Sequence, residues 1–114
     1  MKAKIYHNPR CSKSRATLVL LAERGVETEV IDYLASPPTR ETLERLLRKL
    51  GQSAITLVRT GDPEFAEYAG RKLDDDEILD LLVALPRLLQ RPIVEVGARA
   101  RIGRPPEQVL ELLE

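Results

Sequence analysis

A second cysteine is missing from this chain, so no intramolecular disulfide can form and Cys11 is a lone thiol. An excess of charge is missing as well, because 18 basic residues balance 18 acidic ones. That balance excludes nucleic-acid binding that relies on bulk charge. The longest apolar runs, such as Leu18 to Ala22, are too short to span a bilayer, and the opening Met1-Lys2-Ala3-Lys4 leads into no apolar signal core. These absences predict a soluble cytoplasmic protein with no membrane partner, in surroundings that keep Cys11 reduced. One cysteine and one histidine do not make a metal site. No glycine-rich run ends in Gly-Lys-Ser or Gly-Lys-Thr, which excludes a P-loop. Six positions after Cys11, where a tyrosine-phosphatase loop needs arginine, stands Thr17. Three positions after it, where a two-cysteine redox motif has its second thiol, stands Ser14. Any adduct on Cys11 must therefore be resolved by a thiol from outside. Internal repeats, low-complexity stretches and linkers are absent too.

What is present suffices for one small domain. The 114 residues, 43% hydrophobic and 32% charged, can bury roughly two-thirds of their unfolded surface. Lys2 to Tyr6 reads as a strand, residues 12–24 as a helix stopped by Gly25, and Glu27 to Tyr33 as a second strand. So short a crossover makes the two strands parallel. Ser36-Pro37-Pro38 breaks the chain, and Thr39 caps a helix with Leu43, Leu46, Leu47 and Leu50 on one face and Gly51 as its stop. Residues 52–73 lack a clean period. Asp74 to Glu77 forms a capping box before a helix with Ile78, Leu81, Leu82 and Leu85 on one side. Pro92 opens a strand, Ile93 to Val96, which turns at Gly97-Ala98 into Arg99 to Ile102. Pro105-Pro106 starts a last helix with Val109, Leu112 and Leu113 as its buried stripe. The order β-α-β, helices, β-β-α is that of an α/β, thioredoxin-like fold over residues 1–114, with a helical insertion at about 38–90.

Cys11 lies at the junction of the first strand and helix, in the run His7-Asn8-Pro9-Arg10-Cys11-Ser12-Lys13-Ser14-Arg15. Backbone N–H groups and the helix dipole there favour both a thiolate and a bound oxyanion. Its polar and basic neighbours do not suit an inert core cysteine. His7, four positions earlier, either lowers the thiol pKa through its charged form or simply ends the strand on a backbone hydrogen bond. Ser14 either caps the helix or binds an oxyanion. Arg59, Arg91 and Arg104 are the remaining candidates, since a guanidinium fork matches a tetrahedral oxyanion and stays charged.

The run around Cys11, followed by Leu57-Val58-Arg59, Leu89-Gln90-Arg91-Pro92-Ile93-Val94 and Ile102-Gly103-Arg104-Pro105-Pro106-Glu107, resembles the glutaredoxin-coupled arsenate reductase family. The four blocks occur in that family's order. With the chain ending at Glu114, the likeness is to the short chromosomal branch. The resemblance implies a thioredoxin-like fold with an inserted helical subdomain, Cys11 as nucleophile, and Arg59, Arg91 and Arg104 converging on the oxyanion. It also implies a cis Arg91–Pro92 bond. The expected reaction is reduction of arsenate to arsenite through an adduct on Cys11, resolved by glutathione and glutaredoxin. The protein would act as a monomer with no bound cofactor, glutathione being a thiol co-substrate. Two other readings fit the same residues. One is a related thiol oxidoreductase acting on another substrate, such as a glutathione mixed disulfide. The other is a non-enzymatic module of the same fold that presents its acidic stretch, 62–80, to a partner.

Overall fold

Alternation of exposed Lys2 and Lys4 with buried Ala3 and Ile5 sets the first strand, β1 (Lys2–His7), on a half-buried sheet. The structure is a computed structural model that describes all 114 residues. It divides into two compact units, Met1–Ser36 with Arg91–Glu114, and Pro37–Gln90 between them in sequence.

The first unit carries β1, α1 (Ser12–Glu23), β2 (Glu27–Asp32), β3 (Ile93–Val96) and β4 (Arg99–Ile102). The strands form one mixed sheet in the order β2-β1-β3-β4. β1 pairs parallel with β2 and antiparallel with β3, which pairs antiparallel with β4. This is the thioredoxin-like arrangement that the element order predicts. Gly25 ends the first helical excursion at φ 69°, a left-handed value that residues with a Cβ seldom adopt. Leu21 of α1, Val109 and Leu112 pack with Ala3, Ile5 and Val94 of the sheet. Each of these buried side chains larger than alanine contributes about 1.5–3 kcal/mol relative to exposure.

Several details differ from the sequence reading: β1 runs on to His7 rather than ending at Tyr6, and α1 ends at Glu23 rather than at residue 24. β2 stops at Asp32 rather than Tyr33, because the Asp32 carboxylate accepts from the N–H groups of Leu34 at 3.0 Å and Ala35 at 3.3 Å and turns the chain. The last helix, Pro106–Leu113, is a 3₁₀-helix. Its buried residues are Pro106, Val109 and Leu112. A spacing of three is the period at which side chains of a 3₁₀-helix stack. Leu113, expected in that stripe, is only half-buried.

The second unit holds α2 (Arg40–Leu50) and α3 (Asp75–Ala84) with 3₁₀ turns at Ala54–Leu57, Pro63–Tyr68 and Pro86–Leu88. Thr39 caps α2 by accepting the Thr42 N–H, and Asp74 and Glu77 form the capping box of α3. Arg40 joins the two helices. It pairs with Asp76 at 2.6 Å, with Asp80, and with Glu44 of its own helix at 3.0 Å. No helix is long and apolar enough to cross a membrane.

Candidate active site

β1 ends at His7, and the chain turns through Asn8-Pro9-Arg10 before α1 starts. Cys11 is the N-cap residue, with extended backbone at φ −94° and ψ 122°. Its amide donates to the Asn8 carbonyl at 3.0 Å, and its own carbonyl accepts from Arg15 N at 3.1 Å, the first bond of the helix. The loop is fixed from both sides. Asn8 Oδ1 accepts from Arg10 N at 3.0 Å, Asn8 N donates to Ser14 Oγ at 3.3 Å, and Arg15 Nη1 donates to the Pro9 carbonyl at 2.8 Å. The Cys11 sulfur therefore sits over the first turn of α1 by construction of the loop.

Cys11 is only 8% exposed. Burial is the largest single influence on its thiol and pushes its pKa up. It is outweighed by the backbone N–H groups of Ser14 and Lys13, the Ser14 hydroxyl and the charge of Arg91, and the net result lies below the ordinary thiol value. Ser14 is fully buried at 0% exposure. Its hydroxyl oxygen takes the Asn8 N–H while its side chain lowers the thiol pKa. Ser14→Ala should raise that pKa. Thiolate reactivity appears as pH rises through a midpoint below that of an ordinary thiol, so the variant should shift the midpoint of iodoacetamide alkylation upward. An unmoved midpoint would separate Ser14 from the sulfur.

The second half of the site comes from the other end of the chain. Arg104 Nη2 lies 3.6 Å from Cys11 Sγ, and Arg104 Nε donates to the Arg91 carbonyl at 2.8 Å. Both arginines precede cis prolines: Arg91–Pro92, as the family resemblance implies, and Arg104–Pro105, for which no such expectation stood. Gly103 makes their approach possible. Its N–H donates to the Pro92 carbonyl at 2.9 Å. A Cβ there would stand 2.6 Å from Thr17 Oγ1 and 2.8 Å from Pro92 Cγ. Gly103→Ala should therefore cost about 1–3 kcal/mol of stability, read from urea unfolding, as expected of a crowded site that must shift. A stability equal to the parent would mean that the contact relaxes freely.

The structure brings Cys11, Ser14, Arg91 and Arg104 together. Arg59 belongs to the other unit. There its amide donates to the Leu88 carbonyl at 2.8 Å and its Nη1 pairs with the buried Asp62 carboxylate at 3.2 Å. His7 is 7% exposed, with Nδ1 buried and lacking a hydrogen-bond partner. Burial lowers its pKa, Asp32 pulls it up and Arg15 pushes it down, leaving it below the ordinary value. The charged imidazole invoked from sequence is thus disfavoured, and the positive charge that lowers the thiol pKa belongs to Arg91. Sequence reasoning misses Asn8 as the hub of the loop and Tyr33 as its buried neighbour. The strand register carries the signal for both.

A thiolate beside two guanidinium groups and the first N–H groups of a helix can attack the centre of a small oxyanion while its oxygens are held.

Known proteins are similar along nearly the whole chain. The model of the ArsC family matches residues 6–112. The Escherichia coli K12 "Uncharacterized protein YfgD" is 50% identical over 115 residues, covering 98% of this chain and 97% of that protein. "Arsenate reductase" of Neisseria meningitidis serogroup A is 44% identical over 113 residues, covering 96% of this chain and 97% of that protein. The solved structure of "Arsenate reductase from Vibrio cholerae" superposes with a TM-score of 0.93 at 43% identity, covering 98% of both chains.

Proposed function

The chain belongs to the ArsC family, and from that membership we propose that it is an oxidoreductase that reduces arsenate to arsenite, with Cys11 as its nucleophile. The observation that carries the reading is the Arg104 guanidinium 3.6 Å from a thiol whose pKa is lowered. A relative from Neisseria meningitidis, 44% identical over 113 residues, bears the name arsenate reductase.

In this reading arsenate binds with its oxygens toward Arg91, Arg104 and the N–H groups at the start of α1. The Cys11 thiolate attacks arsenic, and one arsenate oxygen takes up protons and leaves as water. Glutathione then adds to the arsenic of the adduct, displacing a second oxygen as water. The thiolate of glutaredoxin attacks the glutathione sulfur and forms a disulfide with it. The electron pair of the broken sulfur–arsenic bond stays on arsenic, which falls from As(V) to As(III). Water then cleaves the remaining Cys11–arsenic bond, returning the thiol and releasing arsenite. Ser14 fits the external-thiol route, since no second cysteine stands in the chain to resolve the adduct. No bound prosthetic group is needed. His7, whose pKa burial lowers, is assigned no charge-based role in holding the thiolate in this reading.

The test is arsenite formation from arsenate with glutathione and glutaredoxin both supplied. Turnover that requires both thiols supports the reading. No turnover by folded protein with a reactive Cys11 overturns it and leaves a thiol oxidoreductase of another substrate.

A further inference from the structure

Thr17 stands six positions after Cys11, and the reaction gives it no part. The buried residues of α1 are Ser14, Thr17 and Leu21, a spacing of three and four that lines them along one side of the helix. Leu21 packs into the core against the sheet, and Ser14 takes the Asn8 N–H of the Cys11 loop. Thr17 lies between them, fully buried. Its hydroxyl donates to the Lys13 carbonyl one turn back at 2.8 Å, which gives the buried donor its partner and holds the side chain in one rotamer. The oxygen so held faces the turn after β4. A Cβ on Gly103 would stand 2.6 Å from it, so Gly103 seats directly on the Thr17 hydroxyl. The turn itself is tight, since the Gly103 N–H donates to the Pro92 carbonyl and the Arg104 N–H to the Ile102 carbonyl, each at 2.9 Å. The residue it delivers is Arg104, with Nε on the Arg91 carbonyl and Nη2 3.6 Å from Cys11 Sγ. Thr17 Oγ1 is thus where the helix that begins at Cys11 meets the turn that carries Arg104.

We propose that Thr17 is a positioning residue for Arg104: its hydroxyl, turned back onto the Lys13 carbonyl, sets how closely the Gly103 turn seats on α1 and therefore how closely the guanidinium approaches Cys11. The proposal rests on the reading above, in which Arg104 holds the oxygens of the anion that Cys11 attacks. A phosphatase loop carries its arginine at the position of Thr17; here a small buried residue stands there, and the arginine arrives from 93 positions away and is seated against it. Valine at this position would put a methyl where the hydroxyl oxygen is. The methyl is bulkier and cannot donate to the Lys13 carbonyl, so the turn must move outward and take Arg104 with it. Serine keeps both the oxygen and its bond. Thr17 acts through Arg104 and not on the sulfur itself.

The experiment compares alkylation of Cys11 in the full chain by iodoacetate, an anion, and by iodoacetamide, its neutral counterpart, at one pH. Both reagents consume the same thiolate, so the ratio of the two rates is independent of the thiol pKa and reads the positive charge beside the sulfur. Arg104→Ala gives the ratio with that guanidinium removed. Thr17→Val should lower the parent ratio about threefold or more, toward the Arg104→Ala value, the scale of a unit charge moved away from contact. Thr17→Ser should stay within about twofold of the parent, because the hydroxyl and its bond remain. Thr17→Val added to Arg104→Ala should lower the ratio no further, because both changes act through one group. A merely structural Thr17 would lower the temperature of thermal unfolding and leave the ratio in place. The proposal is overturned by a parent-like ratio in folded Thr17→Val or in Arg104→Ala, by losses that multiply in the double variant, or by Thr17→Ser falling as far as Thr17→Val. Should Thr17→Val not fold, a parent-like ratio in Thr17→Ala overturns it equally. Neither reagent involves arsenate or glutathione, so absence of arsenite formation beside the expected ratios would sink the arsenate reading and leave the placing of Arg104 by Thr17 standing.

Discussion

Cys11→Ser should abolish arsenite formation, with a loss on the order of a thousandfold or more, the scale seen when a covalent nucleophile is removed. The substitution is small in volume, and its effect on folding should be favourable. Cys11 is the N-cap residue of α1 and forms no side-chain cap hydrogen bond. Serine is among the preferred residues at that position, and its hydroxyl can accept an N–H of the first turn, a contact worth about 0.5–2 kcal/mol. The variant should therefore unfold at the same temperature as the parent or higher, while losing its chemistry. That opposite movement of stability and activity separates a missing nucleophile from a damaged fold. Arsenite formation within tenfold or so of the parent would place the nucleophile elsewhere.

Arg104→Lys should lower kcat/KM for arsenate by about 10- to 100-fold, the scale of one charge-assisted hydrogen bond to a bound anion. The charge survives this change, so a large effect can only come from geometry. Arg104 uses Nε to grip the Arg91 carbonyl at 2.8 Å while Nη2 stands 3.6 Å from the sulfur. One ammonium on a flexible stem cannot occupy both places, and it offers no planar fork to two oxygens of a tetrahedral anion. Parent-like kcat/KM in this variant would remove Arg104 from oxyanion binding. The measurement is steady-state arsenite formation with glutathione and glutaredoxin in excess.

Much of this arrangement is legible in the chain, for reasons that can be named. The alternation in Lys2 to Ile5, the stop at Gly25 and the capping signals at Thr39 and Asp74 are local, and each marks its element without help from distant residues. Cys11 is legible for the same reason, because a helix start declares itself in the residues beside it. Distant pairings declare themselves less. Arg104 stands 93 positions from Cys11, and only the placing of β3 beside β1 brings its loop to the sulfur. Residue type suggests that arginine as a candidate, but composition does not say what it touches. Tyr33 is illegible for another reason. It reads as the last residue of an amphipathic strand, whereas the strand ends at Asp32, whose carboxylate turns the chain there. The C-terminal helix departs from the α-type reading because spacings of three and four both suit Val109, Leu112 and Leu113, and the burial of Pro106 favours three.

The sheet order also fixes when the guanidinium groups reach the thiol during synthesis. β1, the Cys11 loop, α1 and β2 leave the ribosome first, whereas the strand that flanks β1 on its other side begins at Ile93. Until Arg91 and Arg104 arrive, the nascent chain carries its cysteine without the guanidinium charges that favour the thiolate. The N-terminal βαβ segment alone lacks half the partners of its sheet and much of its core, which includes Val94, Val109 and Leu112. The guanidinium side of the site is thus completed only when the C-terminal strands join the sheet.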